Sequence, residues 1–349
     1  MSKKILYISC HEILEYDELR LFTELGYECY SIGAYTQPGG DEHRKRPPLS
    51  LPYNPHFIEL ALQYHRENLH PEMLEGIDII IVMHDTKVIM SNWPLFKDFI
   101  DKGGRVIWRS IGQSIPARER ELKAARAEGL EVVRYSVAEQ TIAHNIGTDA
   151  TIYFYKDENE YKEYSGKVPR VVNFTQSLKE RGRFCGYDTF MQVTEGFPRV
   201  VFGPNNSDLG ELDGGLLSHD QQIKEYQDNR AYFYHGTYPA SYTLTFIEGL
   251  MTGIPMVCVG PDTGNAYDMF PQQDTYEIPQ IIQNGINGFV SDDITTLRGY
   301  IQQLLDNPRL AKSIGDKGRE TAIEYFGMSK ALAQWKEFLE KNEYQNNAA

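Results

Sequence analysis

Near-continuous apolar runs alternate with amphipathic stretches along most of this chain. The first run is Lys4-Ile5-Leu6-Tyr7-Ile8-Ser9-Cys10. With almost no polar alternation, it predicts a strand covered on both faces. Residues 12–25 then place Ile13, Tyr16, Leu19, Phe22 and Leu25 near helical spacing, and Gly26 stops the helix. Residues 28–32 predict a second strand. Strand, helix and strand in this order open a doubly wound parallel sheet. Further strands are expected at 78–83, 105–109, 131–135 and 150–155. Residues 157–168 are polar and charged, contain Gly166 and run into Pro169, which predicts a linker. A second alternation follows: strand 169–173, helix 187–194, strand 199–202, helix 218–229 with Ser218 as its cap, strand 231–234, helix 244–251 and strand 256–259. Residues 329–342 form a last amphipathic stretch carrying Leu332, Trp335, Phe338 and Leu339. The expected organisation is one domain over 1–168, a second over 169–328 and a terminal helix within 329–349, with the final residues from Tyr344 frayed.

Composition narrows the class. A chain of 349 residues suits two ordinary domains, and 41% hydrophobic with 24% charged residues is the balance of a folded protein. A net charge of −14 counts against a nucleic-acid partner, because neutralising phosphates needs a basic surface. Cys10, Cys29, Cys185 and Cys258 are far apart and read as buried thiols, with no disulfide framework. No apolar run approaches the length of a membrane span, and Lys3-Lys4 precedes too short an apolar run for a leader. The cytoplasm is the expected compartment. HExxH, GxSxG and Walker A patterns are absent, and no GxGxxG follows the first strand.

Candidate chemistry collects where strands end, because open α/β sheets bind ligands outside the carboxyl ends of their strands. His84-Asp85 closes the 78–83 run, and Arg109 closes the 105–109 run. Residues 36–55 hold five of the 17 prolines and the basic cluster Arg44-Lys45-Arg46, and read as a long loop. The charged run Lys179-Glu180-Arg181-Gly182-Arg183 leads toward a helix. The richest stretch is Thr237 to Pro255. After the 231–234 strand comes a loop with Thr237, Ser241, Tyr242 and Thr243, then a helix opening at Leu244. Backbone N–H groups of roughly Ser241 to Leu244 would form an anion site at that helix N-terminus. Glu248, one turn on, could accept hydrogen bonds from sugar hydroxyls. Phosphate at the tip and hydroxyls beside a carboxylate suggest a nucleotide or nucleotide-sugar site.

Glu248-Gly249-Leu250-Met251-Thr252-Gly253-Ile254-Pro255 resembles the donor-binding segment of the retaining, GT-B-fold glycosyltransferases of family 4. Residues 278–290 (IPQIIQNGINGFV) resemble a second family segment, with Gln280 at the usual Glu, and the likeness runs on to about residue 328. The resemblance covers about residues 169–330 and is slight before that. It departs at Ala240, where the family carries its first Glu, and at Ser241-Tyr242-Thr243-Leu244, where the family has Gly-Phe-Gly-Leu.

The resemblance implies a GT-B architecture of two Rossmann-like domains facing across a cleft, with a last helix crossing back. It implies an enzyme moving a sugar from a nucleoside-diphosphate donor to a hydroxyl on a glycan, lipid or small molecule, with retention and without a metal or cofactor. Arg181 and Arg183 then stand by location where the family holds the pyrophosphate. Glu248 stands where it holds the ribose, and His84, with Arg109 one strand later, where a residue faces the donor sugar. Two other readings stay open. Ala240 motivates a nucleotide-sugar-binding protein with little transfer, and some phage GT-B enzymes glycosylate DNA bases.

Overall fold

The computed structural model describes residues 2–33, 49–265 and 273–341. They divide into two compact units. One holds the described residues up to 153 together with 331–341, and the other holds those between 154 and 330. The basic cluster and most of the proline-rich stretch lie outside the described residues, as do the last eight.

The first unit runs β1 (Lys4–Ile8), α1 (Glu12–Glu24), β2 (Glu28–Ile32), α2 (Pro55–Gln63), β3 (Ile79–Met83), α3 (Thr86–Ser91), α4 (Trp93–Asp101), β4 (Arg105–Arg109), α5 (Pro116–Ala127), β5 (Glu131–Arg134) and β6 (Ala150–Thr151). Its sheet is parallel, in the order β2-β1-β3-β4-β5-β6. One face presents Leu6, Ile8, Ile80, Val82, Val106 and Trp108 to Val88, Ile89, Phe96 and Leu122. The alternate residues Ile5, Tyr7, Ile79, Ile81 and Ile107 are equally buried. Both faces are covered, which is why the strands lack polar alternation. The expected 150–155 strand shortens to two residues.

The second unit runs β7 (Val168–Phe174), α6 (Leu178–Arg181), α7 (Tyr187–Thr194), β8 (Arg199–Phe202), α8 (His219–Asp228), β9 (Asn229–Tyr234), α9 (Leu244–Thr252), β10 (Met256–Val259), α10 (Pro261–Gly264), α11 (Ile278–Ile281), β11 (Phe289–Ser291), α12 (Ile294–Asp306) and α13 (Pro308–Phe326). Its five strands are also parallel, in the order β11-β10-β9-β7-β8. Ser218 caps α8 in a full capping box with Gln221, as its sequence suggests. The last helix, α14 (Met328–Glu340), begins in the second unit and belongs to the first from Ala331 onward. There Trp335 sits edge-on to Phe22, with ring centroids 4.9 Å apart.

Residues 154–168 read from sequence as the end of one domain and a linker, yet they pack into the second unit. Lys156 N–H bonds Phe326 O at 3.0 Å, and Arg319 donates to the carbonyls of Glu158, Tyr161 and Met251. Arg319 thereby satisfies a carbonyl at the C-terminal end of α9 that the helix itself leaves open. Gly253 and Gly315 allow this close packing of α9 on α13, because a Cβ on Gly315 would lie 1.9 Å from Gly253 O. No helix among the described residues is long and apolar enough to cross a membrane.

Candidate functional site

Each sheet has one point where the chain turns outward in both directions. In the first unit it lies between β1 and β3, and in the second between β7 and β9. The crevices at the carboxyl ends of those strand pairs are where this architecture binds ligands.

In the second unit that crevice is bounded by the segment after β7 and the loop after β9. The two are joined, since Tyr238 N–H donates to Phe184 O at 2.8 Å and Cys185 Sγ lies 3.7 Å from Thr237 Oγ1. Arg181 is half-buried and makes no ion pair or side-chain hydrogen bond among the described residues. Its charge reaches Cys185, where it opposes the rise in thiol pKa that burial causes. Thr243 is the N-terminal flanking residue of α9 but does not cap it. Its hydroxyl turns instead to Thr245 Oγ1 at 2.9 Å and Tyr234 OH at 3.2 Å. The first turn of α9 therefore keeps N–H groups with no side-chain cap, at the positive end of the helix. Ser241 is buried behind it, and its carbonyl accepts from Glu277 N–H at 3.1 Å. Arg181, Thr237, Ser241, Thr243 and Leu244 thus border one crevice, whereas Arg183 is exposed.

His235 lies in the same crevice and escaped the sequence reading. It ends the apolar run of β9 just as His84 ends that of β3, and that was the available signal. It is 7% exposed, its Nδ1 has no partner among the described residues, and burial lowers its pKa to about 4. Its ring lies against Gly186, where a Cβ would fall 2.0 Å from Cδ2 and where φ is +68°. Only glycine gives both the close approach and the left-handed backbone at the start of α7.

Three expected site residues face inward. Glu248 is 3% exposed, and both of its oxygens are engaged. Oε1 meets Lys156 Nζ at 3.0 Å and accepts from Tyr161 OH at 3.3 Å. Oε2 accepts from Gln222 Nε2 at 2.6 Å and Tyr226 OH at 3.2 Å. The carboxylate ties α8 and residues 156–161 to α9, so in this geometry its lone pairs are not turned toward a ribose. Tyr242 is buried, accepts from Phe154 N–H at 3.3 Å and packs on Phe326. Arg109 is fully buried. Its Nε donates to Glu18 Oε1 at 2.9 Å and its Nη1 to Arg134 O at 3.1 Å, and its guanidinium lies 5.4 Å from the Trp335 ring. A guanidinium held this way ties β4 to Glu18 and Arg134 in the core of the first unit.

His84 occupies the crevice of the first unit. It is 6% exposed, has φ +63°, and neither ring nitrogen has a partner among the described residues. Burial first, then the charge of Arg118, lowers its pKa to about 3, so the ring is a neutral imidazole. A strained, buried and unpaired polar side chain at a strand end is a mark of a functional position.

Solved structures share this architecture over nearly the whole chain. Sucrose-phosphate synthase from Thermosynechococcus elongatus matches with a TM-score of 0.68 and 14% identity, covering 98% of this chain and 100% of that one. A glycosyltransferase from Rickettsia africae matches with a TM-score of 0.69 and 14% identity over 97% and 98%. HepE from Anabaena, in complex with UDP and glucose, matches with a TM-score of 0.64 and 13% identity over 97% and 99%. The chain has the GT-B fold. Among curated proteins, 97 of its residues are 28% identical to N-acetyl-alpha-D-glucosaminyl L-malate synthase of Bacillus anthracis. That match spans 27% of this chain and 22% of that protein. No family model matches. Within the GT-B frame, Ala240 N–H closes a turn onto Thr237 O at 2.7 Å, and its methyl group can offer nothing to a sugar.

Proposed function

We propose that the chain is a glycosyltransferase that moves a sugar from a nucleoside-diphosphate donor to a hydroxyl acceptor, with retention. The observation that carries the reading is the uncapped N-terminus of α9 in the crevice between β7 and β9, whose other border carries Arg181, unpaired among the described residues. A diphosphate fits it, since N–H groups and a guanidinium meet the charge that grows on the leaving group as the glycosidic bond breaks. The acceptor oxygen bonds to the anomeric carbon, the carbon–phosphate oxygen bond breaks, and the acceptor proton passes to the departing phosphate on the same face. Alignment of the two reactants then supplies much of the rate. His84 hydrogen-bonds a sugar or acceptor hydroxyl at the end of β3. Thr237 supplies a further hydroxyl to the phosphates.

A thermal-shift panel of UDP, GDP, ADP, CMP and dTDP, without added metal, tests the nucleotide site. A ligand at a hundredfold excess over Kd stabilises by about 2.7 kcal/mol. UDP is the first to try, as the HepE neighbour was solved with it. A shift with one nucleotide supports the site, and no shift with any refutes it. Ala240 favours a second reading, a binding protein that takes the nucleotide sugar without transfer. Release of nucleoside diphosphate upon adding acceptor decides between the two.

A further inference from the structure

The crevice of the first unit holds more unsatisfied polarity than a hydroxyl contact needs. Both ring nitrogens of His84 and Nε of Arg118 are buried without partners among the described residues. Such groups call for a partner, because a buried donor or acceptor left unsatisfied is costly. Arg118 lies in the first turn of α5, a twelve-residue helix whose N-terminus has no side-chain cap. The positive end of α5 adds to the same field.

The acids around the site are already committed. Asp85 caps α3 and pairs with Arg66 at 3.2 Å. The Thr86 hydroxyl donates to Glu121 Oε2 at 2.5 Å, which leaves Thr86 Oγ1 to accept from Arg118 Nη1 at 3.4 Å. Arg118 makes no ion pair among the described residues. The other group whose charge bears on His84 is His11, which caps α1 through its Nδ1.

We infer that this crevice binds an oxyanion, a carboxylate or a phosphate carried by the acceptor next to its reacting hydroxyl. The guanidinium fork takes the anion in a planar, charge-assisted geometry. A neutral His84 has one N–H and one bare nitrogen. The N–H donates to the anion or the transferred sugar, and the bare nitrogen accepts from the acceptor hydroxyl. This inference rests on the transferase reading for its substrate role, but the anion site is testable without it.

The probes are D-glycerate, glycerol 3-phosphate and uncharged glycerol, which share one skeleton and differ in the anion. Binding to the full chain is followed by ligand-observed NMR at millimolar concentration. At least one anion should bind about tenfold more tightly than glycerol, and whichever wins tells carboxylate from phosphate. Arg118→Gln should abolish the preference and leave nucleotide affinity unchanged, since that is measured on the second unit in the same samples. Arg118→Lys, which keeps the charge and loses the fork, should retain part of it and stands in if Arg118→Gln does not fold. Equal binding of all three probes, or a preference that survives Arg118→Gln, overturns the inference. Loss of nucleotide binding in the wild type would instead refute the transferase reading.

Discussion

Replacing Glu248 by Gln separates a ribose ligand from a buried structural charge. Lys156 Nζ sits 3.0 Å from Glu248 Oε1, with side-chain exposures of 1% and 4%. The substitution keeps the volume but removes the charge that Lys156 meets at Glu248 Oε1. Breaking one side of a buried pair costs about 3–5 kcal/mol, most of it the stranded partner. The amide fits poorly too, because both Glu248 oxygens accept while glutamine has one acceptor and one donor group. Gln222 Nε2, now 2.6 Å from Oε2, or Lys156 would then face an NH2. At about 2–4 °C per kcal/mol for a domain of this size, the melting temperature should fall by roughly 6–20 °C. Differential scanning calorimetry reads this directly. Adding Lys156→Met should recover much of the loss at neutral pH. A variant that melts with the wild type yet loses nucleotide would refute this account and restore Glu248 to the ribose.

Arg181→Gln should weaken nucleoside-diphosphate binding by roughly 10- to 150-fold, the worth of one charged hydrogen bond, with little change in melting temperature; calorimetric titration measures it. Gly186→Ala forces a Cβ onto the His235 ring at a residue with φ +68°, so it should destabilise by about 2–4 kcal/mol and impair nucleotide binding together, as urea unfolding and the thermal-shift panel would report. His84 and His235, with pKa values lowered to about 3 and about 4, are neutral when folded and protonate when unfolded below about pH 6.5. The unfolded state binds the extra protons, so stability should fall as pH drops from about 6.5 to about 4, with a slope of up to about 1.4 kcal/mol per unit for each ring. Urea midpoints across that range check this, and the slope should flatten in a His84→Gln, His235→Gln double variant.

Much of the fold was legible because parallel strands covered on both faces leave apolar runs, and because Gly26 and Ser218 mark helix ends by local chemistry. The end of β3 and the loop before α9 could be found the same way, since a polar residue closing an apolar run sits where this sheet binds ligands. What the chain could not disclose in one dimension is which polar groups answer each other. Arg109 and Glu18 are 91 positions apart, Glu248 and Lys156 are 92 apart, and each pair meets only once the sheet and its helices close. Burial makes those pairings obligatory, because a charge taken from water must find its complement inside. The converse also needed the third dimension. Arg118 stands 34 positions from His84, and only the folded chain brings its charge to bear on that ring.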